Sequence, residues 1–214
     1  MECMTRKTPV QIRDKSMTRQ RLIAAVGSLL AREGFKGMGV NAVAREAGVD
    51  KVLIYRYFGG LPGLIAAFGQ EGDFWPSTLE LAGGDIKRFA ALAPEQQLKV
   101  FSHQFIQGLR NRPVTIRIMA WEVVEANELT RELESVREQG ILSFFQMFFR
   151  FGKNDPDFQT CIMLVGAAIS YLLIRSGHID VYGGIGLETD ADWERIESGI
   201  HRIIQGLLDT QKTG

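Results

Sequence analysis

Cysteine is nearly absent from this sequence. Cys3 stands in a polar stretch and Cys161 in an apolar one, and two residues so placed suggest no disulfide framework. Histidine is almost as scarce. His103, His178 and His201 do not share metal-ligand spacing with a cysteine, and no H-E-x-x-H occurs. No metal centre and no cofactor are therefore expected. A Gly-x-Ser-x-Gly elbow is missing, and neither cysteine lies in a nucleophile signature. Glu122 and Glu125 stand one helical turn apart beside Trp121. Paired carboxylates can do acid–base work, but a solvated helix face explains this pair better, so no enzyme is expected. Long hydrophobic runs are missing too. The longest, Cys161 to Ile174, has fourteen residues, short of the ~18–20 that span a bilayer. The first fifteen residues, MECMTRKTPVQIRDK, lack the apolar core of a signal peptide. The expectation is a soluble protein of the reducing cytoplasm, with no membrane partner. Period-two alternation is absent as well, which argues against strands.

Net charge is also missing: 25 Lys and Arg balance 25 Asp and Glu. Its distribution is uneven. Residues 1–60 hold eleven Lys and Arg against five acids, a surplus of six positive charges, so the remainder carries the opposite surplus. A basic front and an acidic rear suit a chain of which only the front meets nucleic acid.

The most informative stretch is Val40 to Phe58, VNAVAREAGVDKVLIYRYF. Val40, Val43, Ala44 and Ala47 recur at helical spacing and share a face. Gly48 interrupts them where the chain must turn through positive φ. Asp50 is a good N-cap for a second helix, which carries Leu53, Ile54 and Phe58 on or near its inner side. The same short rod carries Lys51, Tyr55, Arg56 and Tyr57, all hydrogen-bond donors. Two helices about a glycine turn, the second rich in donors, make a helix-turn-helix. Donors on the second helix meet phosphates and base edges in the major groove. Asn41 would add a contact from the preceding helix. Val52 and Leu53 either touch thymine methyls or pack.

Around this hairpin the spacing predicts an all-α protein of about nine helices. A basic tail, taken as flexible, covers 1–15. Helix 1 starts near Ser16 or Thr18 and runs to Glu33 with Leu22, Val26, Leu29 and Leu30 inward. The head then covers 16–60, a connecting helix 61–76, and a larger helical body 77–214. In the body, 77–93 reads as one irregular helix. Helices follow over 94–111, from Pro113 (with Ile116, Met119 and Val123 inward) and over about 128–149. The apolar run 157–175 reads as buried on most sides. SGHIDVYGGIGLETDAD reads as a loop, its GGIG too poor in context for a nucleotide loop. A last helix, capped by Asp190 or Asp192, carries Trp193, Ile196, Ile200, Ile203, Ile204 and Leu207.

Four pieces in order, TRQRLIAAVGSLLAREGF, VNAVAREAGV, IYRYF and LPGLIAAF, resemble the N-terminal domain of the TetR family of transcriptional regulators. They cover roughly a quarter of the chain. The pattern departs at several positions. Met38 and Gly39 stand where many members have Thr or Ser. Asp50, Val52 and Leu53 replace small or hydroxylated residues, and Gly59-Gly60-Leu61 follows the box where many have Lys. The resemblance therefore does not supply the hydroxyl and ammonium phosphate contacts at those positions.

The resemblance implies a homodimeric regulator, most often a repressor, that binds a near-palindromic double-stranded DNA operator. It further implies a body that binds a small effector, here apolar or aromatic given the Phe- and Met-rich middle. Phe105, Trp121 and Tyr171 are the expected wall residues, with His103 or Glu122 as polar anchors. The last two helices would form a four-helix bundle with the partner, their close approach eased by Gly166, Ala167, Ala168 and Ser170. The alternative is a helical small-molecule-binding or enzymatic protein whose front hairpin only packs.

Overall fold

A computed structural model describes residues 9–149 and 156–213. Eleven helices are present among them. They are α1 Pro9–Glu33, α2 Val40–Ala47, α3 Val52–Phe58, α4 Leu61–Glu71, α5 Thr78–Leu81, α6 Ile86–Ala90, α7 Pro94–Arg110, α8 Pro113–Val124, α9 Glu128–Phe148, α10 Pro156–Ser176 and α11 Asp190–Thr213. Two two-residue strands, β1 Val181–Tyr182 and β2 Ile185–Gly186, lie between the last two helices. The chain divides into two compact units. The first takes the chain up to Phe74 together with Trp121–Val136, and the second takes Trp75–Ala120 and the chain from Arg137 onward. Trp121–Val136, which the sequence places in the body, is thus part of the head.

In the first unit, α1 starts at Pro9, earlier than the expected Ser16 or Thr18. Residues 9–15 of the expected flexible tail are therefore helical, and residues 1–8 lie outside the described residues. Leu22, Ile23, Val26, Leu29 and Leu30 of α1 are buried with Val43, Ala44 and Ala47 of α2, Ile54 of α3, and Leu64, Ile65 and Phe68 of α4. A single 3-10 turn, Phe35–Gly37, buries Phe35 behind α1. Helix α4 stops at Glu71, inside the expected span 61–76, because the chain turns extended at Gly72 (φ −75°, ψ 166°).

The tip of the α8–α9 hairpin completes this unit. Asn127 starts α9: its Oδ1 accepts the N–H groups of Leu129 (2.9 Å) and Thr130 (3.0 Å). Trp121 of α8 lies over Gly34. A Cβ built at Gly34 would stand 2.6 Å from two atoms of that ring, and Gly34 has φ 63°, so both space and backbone select glycine. Leu133 and Val136 of α9 cover Gly69 of α4, where a Cβ would come within 3.1 Å of each. Lys36 and Glu125 pair at 3.8 Å. Val123, expected inward, is 77% exposed.

The second unit is built on α7. Its face of Leu98, Phe101, Phe105, Ile106 and Leu109 is buried with Phe89 of α6, Phe144 of α9, Phe149, Ile169 and Leu173 of α10, and Trp193, Ile196, Ile200, Ile204 and Leu208 of α11. Residues 77–93 form two short helices because two caps compete with the glycines between them. Ser77 and Glu80 make a reciprocal capping box, and Asp85 Oδ1 accepts the Arg88 N–H at 3.0 Å. The expected loop after α10 contains the two strands, paired Val181 with Gly186 and Tyr182 with Ile185. Gly183 and Gly184, both at positive φ, are the hairpin turn, which is the structural role of the GGIG run. Thr189, not Asp190 or Asp192, stands at the start of α11. The Asp192 N–H donates to its Oγ1 at 3.2 Å, and its own N–H donates to Asp192 Oδ2 at 2.9 Å.

Helix α10 departs most from expectation. In the single chain it is largely exposed: Met163 and Leu164 are 59% and 57% accessible. Over Asp157–Ser176 its mean hydropathy is 1.6, so by length and composition it is also apolar enough to cross a membrane.

Candidate nucleic-acid interface

The turn between α2 and α3 is fixed by its own hydrogen bonds. Gly48, at φ 62° and ψ 43°, donates to the Arg45 carbonyl at 3.1 Å, and Val49 donates to Ala44 at 3.0 Å. This paired closure needs the left-handed conformation that only glycine adopts cheaply. Arg21 of α1 locks the turn from outside. Its guanidinium donates to the Ala47 carbonyl at 2.5 Å and to the Gly48 carbonyl at 3.2 Å. Asp50 then caps α3, its Oδ1 accepting the Val52 N–H at 2.8 Å. One oxygen of Asp50 is therefore held by the helix end.

With Ile54 buried and Leu53 half-buried, α3 turns Lys51, Val52, Tyr55 and Arg56 outward. These positions, i, i+1, i+4 and i+5, lie on one side of a helix. Asn41 and Arg45 of α2 are exposed as well. Among the described residues, neither Lys51 nor Arg56 is paired with a carboxylate. The cations of α1 behave differently. Arg19 pairs with Glu71 and stands over the Phe58 ring. Arg32 bonds Glu46 at 3.0 Å. The hydrogen bonds from Arg19 and Arg32 hold the Glu71 and Glu46 carboxyls below the usual carboxylate range. Arg19 and Arg32 are thus braced by carboxylates, whereas Lys51, Arg56 and, on α2, Arg45 are presented outward.

Tyr57 is half-buried, edge-on to Phe58, with the Lys15 ammonium 5.4 Å from its ring centroid. Sequence reasoning missed Lys15 and Arg21. Lys15 was assigned to the tail, and Arg21 meets a turn 27 residues away, a distance at which no local pattern signals a partner.

Of the five expected effector residues, His103, Phe105 and Tyr171 fall in the second unit and Trp121 and Glu122 in the first. Phe105 is buried in the second unit, stacked on Phe101 at 5.7 Å and edge-on to Trp75 at 5.6 Å. Trp121 belongs to the first unit, over Gly34, because the end of α8 packs with the head. Tyr171 is exposed on α10 and meets Tyr182 of the hairpin at 5.5 Å. The His103 Nδ1 lies 2.8 Å from the Glu197 carboxylate, which also accepts from Gln107 at 3.3 Å. The Glu122 carboxylate oxygens are buried, and Glu122 falls in the first unit with Trp121. Among the described residues no group of three or more His, Cys, Asp or Glu could hold a metal ion.

Residues 22–68, from the core of α1 through α4, match the family model for bacterial regulatory proteins of the tetR family. Residues 22–68 thus carry a domain of the tetR family of bacterial regulatory proteins. Among curated tetR-family relatives, an HTH-type transcriptional repressor of Streptomyces coelicolor is 27% identical over 124 residues, 57% of this chain and 59% of that one. The HTH-type transcriptional regulator RutR of Escherichia coli is 23% identical over 196 residues, 88% of this chain and 89% of that one. Two solved structures share the tetR-family fold. The fatty acid degradation regulator FadR of Bacillus halodurans superposes with a TM-score of 0.63 at 17% identity, covering 94% of this chain and 97% of the other. NalD of Pseudomonas aeruginosa, a secondary repressor of a multidrug efflux pump, gives 0.62 at 18% identity, covering 88% and 97%.

Proposed function

We propose that this chain is a DNA-binding transcriptional repressor that acts in the cytoplasm as a homodimer on a near-palindromic operator and is released by a small apolar or aromatic effector. The observation that carries the DNA reading is the outward face of α3, with Lys51 and Arg56 unpaired on a helix braced by Gly48, Arg21 and Asp50. Lys51 and Arg56 serve as phosphate or base-edge donors, Tyr55 and Tyr57 as phosphate donors, and Asn41 as a donor from α2. The test is fluorescence anisotropy against a duplex selected from a randomised library. Each of Lys51→Ala and Arg56→Ala should weaken binding and lower the slope of affinity against salt by about one. Unchanged affinity and slope in both variants would refute this placement.

The dimer reading is supported by the bare face of α10, with Met163, Leu164, Ala167, Ala168 and Tyr171 exposed at helical spacing. It continues on α11, where Ile203 is 54% exposed and the Cβ positions of Gly199 and Gly206 meet nothing within 4 Å. Two helices with apolar and small outward residues suit a twofold helical interface. Such a twofold would set two α3 helices about one DNA turn, ~34 Å, apart. Sedimentation should give a dimer at micromolar concentration, and Gly166→Trp should weaken it. A monomer that instead co-sediments with liposomes would favour a membrane role for α10.

The effector reading is supported by the aromatic core of the second unit. Phe89, Phe101, Phe144, Phe145 and Phe148 pack edge-on or tilted, with centroids 4.9 to 6.3 Å apart. An apolar compound would enter by repacking these rings. It must bind the DNA-incompetent shape more tightly than the other, with a coupling of about 1–3 kcal/mol. A broad panel of hydrophobic compounds should contain one that raises the melting temperature and lowers DNA affinity. A panel with neither effect refutes the effector.

A further inference from the structure

We propose that Val52 reads the C5-methyl group of a thymine in each half-site, and so helps set operator specificity. The inference rests on the DNA reading given above. Its observation is a large apolar side chain, 60% exposed, on the outward face of α3 between the donors Lys51 and Arg56. Leu53, the other apolar residue at this end, is half-buried in the head and is the packing residue of the two. Val52 has no such role. It stands exposed among cations, at a position a base edge would meet.

Three features prepare Val52 for that task. It stands in the first turn of α3, the end of a recognition helix whose residues contact base edges. Its backbone is pinned by the 2.8 Å bond from its N–H to Asp50 Oδ1, so the side chain is presented from a fixed origin. Its β-branched side chain has few rotamers and loses little freedom on contact. In the major groove thymine alone among the four bases offers a methyl group, and an apolar side chain is the group that recognises it. Lys51 and Arg56, on either side, supply the phosphate or base-edge contacts that hold the valine at the groove.

Uracil differs from thymine only in lacking that methyl. The tightest duplex selected from a randomised library is therefore resynthesised with uracil for thymine, one position at a time, and its affinity measured. At one thymine in each half-site the change should weaken binding about fourfold, the effect of one buried methyl-sized group. Substituting both half-sites should give about 15-fold. The Val52→Ala protein should melt as the parent does, because the side chain is exposed. It should bind the thymine duplex about as weakly as the parent binds the uracil one, and no longer distinguish the two. If the duplex binds well but every thymine tolerates uracil, or if Val52→Ala keeps the discrimination, the methyl reading is overturned and DNA binding stands. If selection recovers no duplex with salt-dependent affinity, both readings fall.

Discussion

Substituting Gly34 tests how the head is assembled. Gly34 has φ 63° and ψ −161°, a region that residues with a Cβ rarely enter. Holding alanine there costs about 1–3 kcal/mol. The new Cβ would also stand 2.6 Å from the Trp121 ring. Relieving that overlap costs about another 1–3 kcal/mol. The two contributions separate in a double-mutant cycle. With Trp121→Ala in place the ring is gone, and Gly34→Ala should cost only its backbone part. The coupling between the two positions should then be about 1–3 kcal/mol, the range for residues in direct contact. Trp121→Ala alone should cost less than the ~3–5 kcal/mol of a fully buried tryptophan, because Trp121 is half-buried. Native-state hydrogen exchange of the α1 amides around Leu29 and Leu30 reads the stability of this unit directly. Trp121→Ala should also weaken DNA binding. A Gly34→Ala cost that is equal in both backgrounds would refute the packing of Trp121 on Gly34.

Other perturbations probe the turn and the body. Gly48→Val places a β-branched residue at φ 62° and crowds the Arg21 guanidinium; it should cost at least about 1–3 kcal/mol and reduce melting temperature and DNA affinity together. Arg21→Met removes the donor to the Ala47 and Gly48 carbonyls. It should cost about 1–2 kcal/mol, near the lower end for a charged hydrogen bond in a partly buried site, and raise the dissociation constant for DNA even where the melting curve recovers in stabilising salt. Burial keeps the His201 imidazole below its ordinary pKa of 6.5 despite the opposing pull of Glu197, with Lys99 and His103 also facing it. Below about pH 6.5 the unfolded chain takes a proton that the folded chain resists, so stability is full above that pH and falls on acidification; melting curves of His201→Leu should lose part of that fall. For Glu80, burial raises the carboxyl but hydrogen bonds from Arg112 and Ser77 outweigh it and leave it lowered. Its contribution should persist above about pH 4.5 and vanish in stronger acid, so Glu80→Gln should melt lower than the parent at neutral pH and converge with it in acid.

The parts legible in the sequence were those set by local chemistry. Gly48 was readable because an apolar period of 3.6 stops at a residue suited to positive φ. Asp50 was readable as a cap from its place before an apolar rod. What the sequence does not display is set by partners distant in the chain. Trp121 resembled a pocket residue because its helix is apolar, but its neighbour is Gly34, 87 positions earlier. Tyr171 resembles a pocket wall residue because α10 is apolar on several sides, and in a single chain it faces outward. Hydropathy reports that a face wants cover and does not name what covers it. Residues 9–15 read as loose chain in the sequence because they are polar, yet they are helical as part of α1. The 77–93 segment was blurred by Gly83 and Gly84, which hid the Ser77 and Asp85 caps on either side.

The head is not a contiguous stretch of chain, and this bears on how such proteins can be recombined. A cut after Phe74 would keep every helix of the DNA-reading motif but remove Trp121 from Gly34 and Leu133 and Val136 from Gly69. A head transplanted onto another body would lose those contacts unless the new body supplied them. Chimeras joined at that single seam should therefore fold poorly unless the sixteen residues Trp121–Val136 travel with the head. Exchange of DNA specificity by recombination is costly in such an architecture. Point changes on the outward face of α3, where Val52 and Arg56 are exposed, are the cheaper route to a new operator.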